Sequence, residues 1–75
     1  MTTNPKILGA MKHLLNELHK IGIIDHIDKD HLIDRYQRGK IINFGHLAEY
    51  LRVIKPLGDH NYDQIIRYGR YYGEN

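Results

Sequence analysis

The chain has 75 residues, a net charge of +2 and no Cys, which excludes a disulfide framework and a thiolate metal site. Eleven Ile and eight Leu are too many for a disordered chain, yet no apolar run approaches the ~20 residues that span a membrane. A chain this short buries only ~60% of its unfolded surface, so one small domain over residues 1–75 is expected, and self-association as a homodimer would add stability.

The first predicted helix covers residues 5–21. Asn4 fits its N-cap and Pro5 its first position, where no amide hydrogen bond is lost. Ile7, Met11, Leu14, Leu15 and Leu18 recur at helical spacing, with Leu8 and Ile21 widening the stripe. Gly22 suits a left-handed stop, and Leu18 and Ile23 are placed for the contact that accompanies one. Gly9 is expected to permit a close helix approach. The stretch IIDHI, residues 23–27, reads as an apolar connector.

The second helix is predicted over 28–38, capped by Asp28, with Ile27 and Leu32 spaced as a hydrophobic staple. Leu32, Ile33 and Tyr36 form its inward face and Gly39 ends it. The third covers 43–55: Asn43 caps, Ile42 can staple to Leu47, and Phe44, Leu47, Ala48, Leu51 and Ile54 form the stripe. Pro56 and Gly58 stop it. The fourth covers 61–72, with Asn61 and Gln64 as a capping box and Tyr62, Ile65, Ile66, Gly69 and Tyr72 on one broad face. Gly73 is its stop. The fold class is therefore all-α, a compact single-domain bundle of about four short amphipathic helices. Ile23, Ile24 and Ile41 exceed one stripe per helix and motivate the homodimer.

Enzyme chemistry has little to work with. There is no Ser, and Thr2 and Thr3 stand beside the chain's start, so nucleophilic catalysis is nearly excluded. No glycine-rich phosphate loop is present, and every Asp has a simpler role as a cap, a first-turn charge or an ion-pair partner. No cofactor is expected. The stretch DHIDKDH, residues 25–31, resembles a metal site in composition, but His26 and His31 are five apart and do not share a helix face. A calcium loop fails as well, because Leu32 falls where an acidic ligand is needed. Six His make the charge respond to acidification.

The charge is unevenly placed. Residues 1–34 carry four Lys against five acids, and residues 35–75 carry seven basic against four acidic groups. All five Arg and all six Tyr lie in the second part. Both residue types make large contacts and hydrogen bonds at modest entropic cost, and both are enriched where proteins bind. Arg67, Arg70 and Tyr71 are the leading candidate contacts, bordered by Tyr68. Arg35, Arg38, Tyr50 and Arg52 are secondary. A protein partner with an acidic surface fits them, because Arg offers forked donors to carboxylates.

Nucleic acid is the alternative partner. Leu47, Ala48, Leu51 and Val53, within HLAEYLRV, resemble the first helix of a helix-turn-helix, with its Leu-Ala-x-x-Leu-x-Val pattern. That resemblance covers eight residues and implies a recognition helix opening with Tyr62, Asp63 and Gln64, and phosphate contacts from Lys55, Arg67 and Arg70. Arg52 stands where the motif's turn Gly is expected, and a helix starting near Asn61 lies too far for the usual turn of three or four residues. Asp63 would repel phosphate, and +2 is a weak charge for binding by counterion release. The expected protein is a cytoplasmic, non-enzymatic adaptor or inhibitor-type regulator with no membrane partner, of the kind common on phages and mobile elements.

Overall fold

A computed structural model describes residues 5–72. Four helices follow one another: α1 (Pro5–Lys20), α2 (His26–Gln37), α3 (Phe44–Ile54) and α4 (Asp59–Tyr71), and no strand occurs among the described residues. The protein is a small all-α bundle, as its stripes and stops predict. The Asn4 cap and the Gly73 stop lie outside the described residues.

α3 and α4 form the closest pair, and α1 packs on both α2 and α4. Met11, Leu14, Leu15 and Leu18 of α1, Leu32 of α2, Phe44, Leu47, Ala48 and Leu51 of α3, and Ile65 of α4 fill one buried cluster. Each connection adds an aliphatic plug to it: Ile24, Ile41 and Leu57. The surplus that motivated a homodimer is thus largely internal. Ile24 and Ile41 are buried, and Ile23 is half-buried against the same cluster.

The stops follow backbone logic. Gly22 takes φ +87°, donating to the His19 carbonyl while Ile23 donates to the Leu18 carbonyl. That pair of bonds is the Schellman closure, in which a left-handed glycine satisfies carbonyls stranded at a helix end. Gly39 repeats it at φ +78°, with Gly39 and Lys40 donating to the Tyr36 and Arg35 carbonyls. α3 ends at Ile54, because Lys55 precedes Pro56 and is held extended, at φ −139° and ψ 153°.

The starts depart from expectation. α2 is capped by Asp25, three residues earlier than predicted. The Asp25 carboxylate accepts from the Asp28 amide at 2.8 Å, and Asp28 accepts from the Asp25 amide at 3.3 Å. Asp28 is therefore the reciprocal third residue of a capping box. Starting there turns Ile24 into the core and Ile27 out, so Ile27 cannot staple to Leu32. Asn43 does cap α3, accepting from the His46 amide at 2.8 Å. Ile42 also points outward; its amide is held by His46 Nδ1 at 3.3 Å, and no Ile42–Leu47 staple forms.

α4 begins at Asp59, two residues early, behind Gly58 at φ +77° with no side-chain cap. Asn61 bonds back to the Leu57 carbonyl at 3.1 Å and is not the start of a capping box with Gln64. Ile21 lies beyond the end of α1 and is exposed, and Ile54, expected in the α3 stripe, is exposed as well. Gly9 is exposed, and a Cβ there would meet nothing within 4 Å, so it permits no close approach.

Candidate partner-binding surface

α4 carries the leading candidates because of its phase. Ile65 and Gly69 face the core, and Tyr62, Ile66, Tyr68 and Tyr72 are half-buried around them. The opposite side presents Asp63, Gln64, Arg67, Arg70 and Tyr71, all exposed. Tyr71 leaves 82% of its surface open. It is still anchored: its ring meets Tyr72 edge-on at 4.9 Å between centroids. Tyr72 stacks with Tyr68 at 6.3 Å, and both stack with buried Phe44, at 6.5 and 6.1 Å. A chain of four rings thus runs from the core to the surface. Offset and edge-on pairs of this kind hold aromatic rings in place. Tyr68 belongs to that packing, with His13 of α1 tilted against it at 6.4 Å. Burial raises its hydroxyl pKa, with smaller contributions from Glu17 and Tyr72.

The five Arg divide by the carboxylate each can reach. Arg38 grips both oxygens of Asp34 at 2.9 Å, Arg52 meets Glu49 at 2.8 Å, and Arg67 meets Asp63 at 3.2 Å. All three pairs are local, at spacings of three or four, and well exposed, with Arg38 at the C-cap of α2. Such pairs contribute at most about 1 kcal/mol each, so these cations can be shared with a partner. Arg70 and Arg35 have no carboxylate partner among the described residues.

Arg52 and Arg35 serve the fold too. Arg52 lies over the Tyr62 ring, 4.6 Å from its centroid, and the Tyr62 hydroxyl donates a short hydrogen bond to Glu49. That bond, then the nearby Arg52 charge, holds the Glu49 carboxyl below its ordinary range, and it raises the Tyr62 hydroxyl. Arg35 lies over Tyr50 at 4.5 Å, and Tyr50 shares a 3.1 Å hydrogen bond with His31 Nε2.

α2 and α3 meet mainly through such long side chains. At the other end of their seam Lys55 reaches Asp28 at 2.7 Å, in the least exposed ion pair among the described residues. The Lys55 hydrogen bond draws the Asp28 carboxyl below its ordinary value, and the same bond raises Lys55.

The candidates therefore form two sets. Arg67, Arg70 and Tyr71 share one stretch of α4. Arg35 and Tyr50 meet across α2 and α3, with Arg38 and Arg52 near them in sequence but paired to their own helices. No hydrogen bond, ion pair or ring contact joins the two sets among the described residues. Sequence reasoning weighed His31 only as a metal ligand and Tyr62 only as a core or recognition-helix residue, and it missed Glu49. The i, i+4 spacing of His31 and Arg35 and the i, i+3 spacing of Glu49 and Arg52 were available signals, but the reach across to Tyr50 and Tyr62 depends on helix packing.

Among the described residues no three His, Asp or Glu converge to hold a metal ion, and no helix is long and apolar enough to cross a membrane. All six His are exposed. Searches of family models, curated proteins and solved structures found no match for this chain.

Proposed function

We propose that this protein is a cytoplasmic, non-enzymatic adaptor or inhibitor-type regulator that binds an acidic protein surface through the Arg67, Arg70 and Tyr71 face of α4. The observation that carries this reading is Tyr71, exposed yet fixed by a ring chain rooted in Phe44. An aromatic side chain already ordered before binding loses little entropy on contact, and this favours its use as an anchor. Arg67 and Arg70 stand one turn and one residue from it and supply donors for carboxylates.

A DNA-binding reading keeps one favourable feature. α4 starts early enough to leave a four-residue link, 55–58, within the helix-turn-helix range. Against it, Val53, the last apolar position of the motif, is 83% exposed. Lys55 is committed to Asp28, and Asp59 and Asp63 occupy the first turns of the would-be recognition helix.

Affinity capture from the native host with and without nuclease, followed by titration of random duplex DNA at two salt concentrations, separates the readings. The adaptor predicts a nuclease-resistant protein partner. Tight DNA binding with a log–log salt slope of roughly −0.9 per phosphate contact would overturn it.

A further inference from the structure

Arg35 is held in place by the fold without a carboxylate partner among the described residues. The positions that a helical side chain reaches from it are His31 and Leu32 behind and Arg38 and Gly39 ahead. None is acidic, and the adjacent Asp34 is taken by Arg38 through both oxygens. The guanidinium crosses the α2–α3 seam and lies on the Tyr50 ring, 4.5 Å from its centroid. In that position its Nε is buried and has no hydrogen-bond partner. Buried polar groups are nearly always paired, so an exception calls for an explanation.

With Nε buried, a ligand can meet only the terminal amines. Tyr50 is itself fixed: its hydroxyl is 3.1 Å from His31 Nε2, and the two rings are tilted at 37°. The ring that Arg35 lies on therefore cannot swing freely, and the guanidinium is oriented before any ligand arrives. Its terminal amines carry no protein acceptor among the described residues. When His31 Nε2 donates to the Tyr50 hydroxyl, the hydroxyl keeps its own proton for an oxyanion. Stacking on an aromatic face with the fork left open is a recognition geometry that Arg has and Lys lacks.

We propose that Arg35, Tyr50 and His31 form a carboxylate-binding site across the α2–α3 seam that takes an Asp or Glu side chain of the acidic partner. The site rests on the acidic-partner reading above and adds a second point of contact, on α2 and α3 instead of α4. A carboxylate presents two coplanar oxygens to the planar guanidinium fork, the match on which the assignment rests.

The test is an NMR titration of the full chain with a capped hexaglutamate peptide, a capped hexaglutamine control and inorganic phosphate, at fixed ionic strength and pH. The site predicts that hexaglutamate, and not hexaglutamine, shifts the side-chain resonances of His31, Arg35 and Tyr50. Arg35→Gln should weaken hexaglutamate binding about tenfold, equivalent to about 1.4 kcal/mol. Arg35→Lys, which keeps the charge and loses the planar fork, should restore only part of it. If Arg35→Gln loses its dispersed spectrum, Tyr50→Phe decides: weakened binding supports the site and unchanged binding overturns it. Shifts confined to Arg67, Arg70 and Tyr71, or wild-type affinity in a folded Arg35→Gln, would overturn the seam site and leave the α4 reading standing. Phosphate producing equal or larger shifts at Arg35 would overturn the carboxylate assignment. No binding of hexaglutamate anywhere would overturn both.

Discussion

Gly9 and Gly22 look alike in the sequence and differ in the fold. Gly22 holds φ +87°, a conformation that L side chains rarely adopt, and its two backbone bonds close α1. Gly9 sits in the interior of α1, is exposed, and leaves open space where a Cβ would be. Gly9→Ala should therefore stabilise the protein, by about 1 kcal/mol, through helix propensity alone; a chemical-denaturation midpoint that falls would restore the close-approach reading. Asp25 and Asp28 show the same limit of legibility. Both are good caps by type, and either would open a helix. What decides is Ile24, which reaches the core only if the helix starts at His26. Cap chemistry is local and readable, but the choice between neighbouring caps is made by packing.

α1 and α3 were readable as elements because one face of each is apolar and the other is not. Leu51 and Val53 stand two residues apart on α3, one fully buried and one exposed. Leu51→Ala should cost ~2–5 kcal/mol, and Val53→Ala should stay within roughly 0.5 kcal/mol, measured by urea unfolding. Equal losses would mean the stripe is misplaced. α2 was harder to place, since it buries only Leu32 and is tied to α3 through Asp28, His31 and Arg35. Its stability should accordingly depend on pH. The Asp28 carboxyl is lowered in the fold, so its contribution is present above the unfolded value and is lost as pH falls through the folded one. Lys55 is raised, so its contribution persists until pH climbs through its folded value, above the ordinary Lys range. The melting-temperature gap between wild type and Asp28→Asn should be widest near neutral pH and shrink below about pH 4. A gap that is constant from pH 7 to 2.5 would remove the ion pair from the account.

Across the whole molecule, the concentration of Arg and Tyr beyond residue 34 has two physical sources. Part is architecture: Arg52 over Tyr62, Arg35 over Tyr50, and Tyr68 with Tyr72 on Phe44 connect the helices. Composition alone does not separate these from a binding face, because the same stacking serves both. Tyr36 packs on the core and Arg38 pairs with Asp34, which leaves Arg67, Arg70 and Tyr71, whose outward placement was readable from the phase of α4 even with its start misjudged by two residues. The central claim is that this remainder contacts an acidic protein. The most direct measurement is the affinity of the nuclease-resistant partner for wild type and for Arg67→Ala/Arg70→Ala, alongside thermal melts of both. Binding by the double variant should be at least tenfold weaker, about 1.4 kcal/mol, with a melting temperature changed by no more than roughly 4 °C, as exposed substitutions allow in a chain of this size. Undiminished binding by the double variant, or a collapsed fold, would contradict the central claim.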